Sequence, residues 1–108
     1  MSTGNSNIII SLEVYQGDAL VKAAEYTESG ITIGSSERAV CTLTDAALSE
    51  LHAVINVQND GTVQLVDLGS EHGTLLNGES ISNTNLASGA AIEIGSLRII
   101  VNITDEQA

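Results

Sequence analysis

The chain is 108 residues long, 43% of them hydrophobic, with 14 Asp and Glu against 3 Lys and Arg for a formal net charge of -11. That length fits one domain with a core of ordinary size. The acidity argues against nucleic acid and anionic membrane surfaces, both of which need a basic face on the protein. Phe, Trp and Pro are absent, so Ile, Val, Leu and Ala must fill the core, and β-branched residues favour strands.

Residues 1–7 are polar and carry no basic side chain. They read as a disordered tail and lack the shape of a secretion signal. Ile8, Ile10, Leu12 and Val14 then alternate with Ser11, Glu13 and Tyr15, the period of a strand with one buried face. Gln16-Gly17-Asp18 reads as a turn. Residues 20–27 stay open between helix and strand, since Ala, Lys and Glu suit a helix but Glu28-Ser29-Gly30 ends it early. Ile31-Thr32-Ile33 is a short strand. Cys41 is the single cysteine, which rules out an intrachain disulfide, and between Val40 and Thr42 it reads as a buried free thiol.

Residues 45–55 place Ala47, Leu48, Leu51, Val54 and Ile55 at helical spacing behind Asp45 as an N-cap, so on their own they fit a helix as well as a loop. Residues 52–58 and 62–68 form a hairpin around Asn59-Asp60-Gly61. Asn77-Gly78 marks a second tight turn. Residues 91–94 and 97–103 make a last pair around Gly95-Ser96, and residues 104–108 read as a C-terminal tail. Short strands punctuated by turns over residues 8–103 predict an all-β antiparallel sandwich, a single domain with no repeat or linker. No apolar run approaches the ~20 residues of a membrane helix. The chain reads as cytoplasmic, or as the soluble part of a membrane-anchored protein.

Three stretches carry most of the functional information. They are Ile33-Gly34, then Ser49-Glu50-Leu51-His52-Ala53, then Asp67-Leu68-Gly69-Ser70-Glu71-His72-Gly73-Thr74-Leu75-Leu76-Asn77-Gly78, with Ile92-Glu93-Ile94-Gly95 behind them. In this order they resemble the forkhead-associated (FHA) domain, a phosphothreonine-binding β-sandwich, over about residues 31–101. The resemblance implies that residues 45–55 run as a loop into a strand. It implies that Ser49 contacts phosphate and that His52 braces the loops from behind. Gly34, Gly73, Asn77 and Gly78 would shape them. Thr74 and Ser70 would belong to the same loop face.

Other family positions hold different chemistry. The arginine expected after Ile-Gly is Ser35, the basic residue expected after the serine is Glu50, and the asparagine expected before Gly-Thr is His72. Arginine supplies the charge-assisted bonds that make phosphate recognition strong. A carboxylate at Glu50 would oppose a phosphothreonine by about 1 to 4 kcal/mol, depending on local dielectric. Arg38 is the sole cation near these motifs, four residues past Gly34. The expectation is a non-catalytic protein-interaction module that does not need phosphate. It would be the cytoplasmic N-terminal domain of a larger bacterial secretion or motility assembly, with a basic partner as one complement of its charge. The alternative is a true phosphothreonine reader in which Arg38 takes over.

Two other readings are weaker. His52, His72 and Cys41 match no usual metal-ligand spacing, so no metal or cofactor is expected. Ser49, His52 and Asp67 have the residue types of a hydrolytic triad but no nucleophile turn or oxyanion motif beside them. Tyr15 and Tyr26 read as packing residues.

Overall fold

A computed structural model describes residues 8–105; the tail expected at residues 1–7 lies outside them, as do residues 106–108. Eleven strands follow in order: β1 (Ile8–Gln16), β2 (Ala19–Tyr26), β3 (Ile31–Gly34), β4 (Cys41–Thr42), β5 (Ala53–Val57), β6 (Val63–Asp67), β7 (Thr74–Leu76), β8 (Glu79–Ile81), β9 (Asn83–Leu86), β10 (Ala90–Ile94) and β11 (Leu97–Asp105). One sheet has the order β2-β1-β11-β10-β7-β8 and the other β4-β3-β5-β6-β9. All ladders are antiparallel except β3 with β4. Among the described residues there is no helix, and hence none long and apolar enough to cross a membrane.

The period-two reading of the first strand holds: Ile8, Ile10, Leu12 and Val14 are all buried. They meet Ile31, Ile33, Ile55 and Leu65 of the second sheet and Ile92, Ile94, Ile99 and Val101 of their own in one aliphatic core. Cys41 is a free, fully buried thiol within that core. Burial raises its pKa, partly offset by a hydrogen bond with Tyr26 and by the charge of Lys22. Residues 20–27, left open by their composition, form most of β2. Pairing with β1 across a register shift at Val14 and Tyr15 decides the matter.

Residues 45–55 are not a helix. Asp45 does cap, but it caps a turn: its carboxylate accepts the Ala47 N–H at 2.9 Å and the Ser96 hydroxyl, while its carbonyl accepts the Leu48 N–H at 3.1 Å. The hydroxyl of Ser96 and the Ala47 N–H hold the Asp45 carboxyl below the usual range. Leu48 is buried here without a helical register. β11 runs past the boundary expected at residue 103, since Thr104 and Asp105 still pair with Ile9 and Ile8. The Ile8 side chain also lies near Gly61, at the tip of the β5–β6 hairpin, so both ends of the described chain leave from that end of the sandwich. The candidate loops lie at the opposite end.

Candidate functional site

Three loops meet where β3 and β6 end and β5 begins, and the middle one holds the other two. Just before β5, the His52 N–H donates to the Ile33 carbonyl at 2.8 Å. The Ser35 N–H donates to the Ser49 carbonyl at 3.0 Å and the Ser36 N–H to the Glu50 carbonyl at 3.1 Å. Gly34 explains how this approach is possible: a Cβ there would sit 1.9 Å from the Glu50 carbonyl oxygen. The Ile-Gly motif is therefore a steric requirement for docking the β3–β4 loop on the β4–β5 loop.

His52 ties the middle loop to the third. The ring is fully buried. The Ser49 N–H donates to its Nδ1 at 3.0 Å, which leaves the ring proton on Nε2, donated to the Gly73 carbonyl at 2.8 Å. The Glu71 N–H donates to Ser49 Oγ at 3.2 Å, a further link between the same loops. Gly73 has φ +83°, a left-handed conformation that a Cβ disfavours. Asn77 and Gly78 have φ +51° and +89°, the pair of positive values that a two-residue hairpin turn between β7 and β8 requires. The Asn77 side chain accepts the Ala91 N–H at 3.0 Å and so fixes the turn to β10.

Asp67 organises the β6–β7 loop, a role that motif matching did not assign it. Its carboxylate accepts from the Gly69 N–H (2.8 Å), the Ser70 N–H (2.8 Å), the Ser70 hydroxyl (2.6 Å) and the Thr74 hydroxyl (2.8 Å). Partial burial pushes its pKa up, but the hydrogen bonds from Ser70, Thr74 and Gly69 prevail and hold it below the usual value. An Asp two and three residues before Gly-Ser is the signature of a side chain that caps its own turn, and it could have been read from the sequence.

These contacts sort the candidate residues. Ser35, Arg38, Glu50 and His72 are exposed, with Glu71 beside them, and Ser49 is half-buried at their centre. Thr74 is fully buried and Ser70 spends its hydroxyl on Asp67 and on the Gly73 N–H, so both hold the loop and neither presents a free group outward. The Arg38 guanidinium makes no hydrogen bond or ion pair among the described residues, whereas the Arg38 backbone N–H donates to Ser36 Oγ at 3.0 Å. Ser49, His52 and Asp67 do not form a relay: the ring nitrogens bond only backbone groups, and Asp67 bonds Ser70, Thr74 and Gly69. Among the described residues no group of three His, Cys, Asp or Glu is placed to hold a metal.

The FHA domain model matches residues 31–95, which takes in all three loops and the eight strands β3 to β10. The chain belongs to the FHA domain family. Over 58 residues it is 36% identical to the glycogen accumulation regulator GarA of Mycolicibacterium smegmatis, covering 54% of this chain and 36% of that protein. Over 58 residues it is 38% identical to the oxoglutarate dehydrogenase inhibitor of Corynebacterium diphtheriae, covering 54% of this chain and 40% of that one. The match thus spans well under half the length of either relative. Among solved structures, the FhaA FHA domain complexed with the intracellular domain of Rv3910 superposes with a TM-score of 0.76 at 28% identity, covering 86% of this chain and 99% of that chain. The FHA domain of the CT664 protein from Chlamydia trachomatis superposes with a TM-score of 0.78 at 25% identity, covering 87% and 96%. As an FHA domain the chain is of a class of protein-interaction modules that often bind phosphothreonine, and its relatives of this type are non-catalytic.

Proposed function

We propose that this FHA domain binds its protein partner through the three-loop face without requiring phosphate. The observation that carries this reading is the chemistry at the centre of the face. Ser49 is flanked by the exposed Glu50, its oxygen already accepts the Glu71 N–H, and Ser35 stands where the family's arginine would be. A neutral hydrogen bond from Ser49 contributes about 0.5 to 1.5 kcal/mol, whereas micromolar affinity needs about -8 kcal/mol. The carboxylates of Glu50 and Glu71 favour a basic partner segment over a dianion. The setting we assign is a cytoplasmic module of a larger bacterial assembly; the FhaA neighbour's complex with an intracellular domain is in keeping with it.

Calorimetric titration with matched phosphothreonine and unphosphorylated peptides tests this. The expected result is no phosphate-dependent heat, and weak, salt-sensitive binding once Ser35→Arg, Glu50→Arg and His72→Asn are combined. Micromolar, phosphate-dependent binding by the unchanged protein would overturn it. One observation favours that second reading: the Arg38 guanidinium is exposed and unpaired among the described residues. In that case Arg38→Ala would abolish the binding.

A further inference from the structure

The motif Ile92-Glu93-Ile94-Gly95 lies outside the three loops. It ends β10 and opens the turn to β11, and its glycine faces the loop that carries Ser49 and Glu50. Gly95 has φ +59°, and a Cβ on it would run into the Asp45 carboxylate and sit 2.7 Å from the Ala47 Cβ. The next residue, Ser96, donates its hydroxyl to Asp45, and its oxygen accepts the Gln16 side-chain N–H at 3.2 Å. Residues 43–52 are therefore clamped between two glycines, one from each sheet. Gly34 presses on the Glu50 carbonyl from the second sheet, and Gly95 presses on Asp45 and Ala47 from the first. Among the described residues, the hydrogen bonds that residues 43–48 make to the first sheet or its turns all run through Asp45.

We infer that Asp45 is a positioning residue for the three-loop face, and that the β10–β11 turn is a fourth element of the binding end, setting where Ser49 and Glu50 stand. The inference rests on the reading of that face as the binding surface. The chain of contacts is short. Asp45 holds Ser96 through its carboxylate and closes its own turn through the Ala47 and Leu48 N–H groups. Ser49 and Glu50 follow that turn directly. Their carbonyls accept the Ser35 and Ser36 N–H groups, and Ser49 Oγ accepts the Glu71 N–H. A shift at Asp45 is thereby passed to the first and third loops as well. The clamp also lowers the entropy cost of recognition. Residues 43–52 connect β4 to β5 with no strand of their own. An untethered connection of that length loses conformational freedom when a partner orders it, whereas one fixed beforehand does not. Gly34 and His52 fix its second half, and Asp45 fixes the first.

Amide hydrogen exchange of the unliganded whole chain, read residue by residue by NMR, tests this without any partner. Ser96→Ala removes the hydroxyl from the other sheet and leaves every side chain of the three loops in place. Exchange of the Leu48, Ser35, Ser36 and Glu71 N–H groups should then rise about 2- to 10-fold, the range for one net hydrogen bond. The Gln58 N–H, bonded to the Thr62 carbonyl at the far hairpin, and the amides of the β1–β11 ladder should not change. Asp45→Ala should give the same pattern or a stronger one, and adding Ser96→Ala to it should change nothing further. Asp45→Asn should keep the parent's rates at Ser35, Ser36 and Glu71, because its oxygen can accept the Ala47 N–H and its amide can donate to Ser96 Oγ. A rise shared equally by all protected amides would mean ordinary loss of stability and would overturn the inference. So would unchanged rates at Ser35 and Ser36 in Ser96→Ala, additive effects of the two substitutions, or an Asp45→Asn chain that behaves like Asp45→Ala. If Asp45→Ala does not fold, Ser96→Ala and Asp45→Asn decide alone. Phosphate-dependent peptide binding, which would overturn the proposed function, leaves these rates untouched, so failure of one is separable from failure of the other.

Discussion

His52 is a histidine used for shape. Both ring nitrogens are spent on backbone groups of two loops, and the ring is sealed from solvent. Replacing it by Ala strands the Ser49 N–H and the Gly73 carbonyl, so His52→Ala is expected to lower unfolding free energy by about 1 to 3 kcal/mol. Denaturant unfolding measures this, and a midpoint equal to the parent's would show that the ring is dispensable. Asp67 adds a pH dependence. Its folded pKa is depressed, so its contribution is complete above the unfolded carboxylate value and is lost as pH falls through the folded one. Acid titration of thermal stability should therefore show an excess loss in the parent over Asp67→Asn below about pH 4. The residue identities here were legible in the sequence, but their roles only in part. Ser49, His52 and Gly73 are joined by hydrogen bonds between two loops, and Asn77 holds its turn to β10. Thr74 is turned inward because Asp67 takes its hydroxyl, and a motif cannot show which side of a loop a hydroxyl faces.

The strands were easiest to read where one face is buried and hardest at the margins of the sheets. β1 and the β5–β6 hairpin follow from alternation and turn residues alone. β2 does not, because it is an edge strand whose Ala, Lys and Glu have little strand propensity; its conformation comes from the ladder with β1. The bulge and Lys22 also make it a poor template for further strands. Residues 45–55 mislead for the converse reason. Leu48 and Val54 fall at helical spacing, yet one packs from a turn and the other lies on the outer face of β5. At this scale Gly34 is the most constrained position. Gly34→Ala drives a Cβ into the Glu50 carbonyl, which belongs to backbone and cannot rotate away. A loss of about 1 to 3 kcal/mol is expected. Amide shifts at Ser35, Ser36 and Glu50 should move with it, and an unshifted spectrum would show that the loops are not docked through this contact.

The charge of the whole molecule opposes its own compactness. With 14 acidic groups against 3 basic ones, and the described acidic residues lying mainly in loops and on the first sheet, self-repulsion is distributed and solvent-facing. Melting temperature is therefore expected to rise with added sodium chloride between about 0.01 and 0.15 M, where the screening length falls from about 30 to about 8 Å. A flat or falling profile would show that local hydrogen bonds such as those of Asp67 dominate over net charge.

Ile8 and Asp105 pair at the end of the sandwich remote from the loops. A host chain could therefore enter and leave this module through one narrow doorway, as if it were inserted on a stalk. Anchoring it to a bead, a sensor surface or a neighbouring domain by either end would point the three loops outward, and two such modules on one support would display them side by side without steric competition from their own attachments.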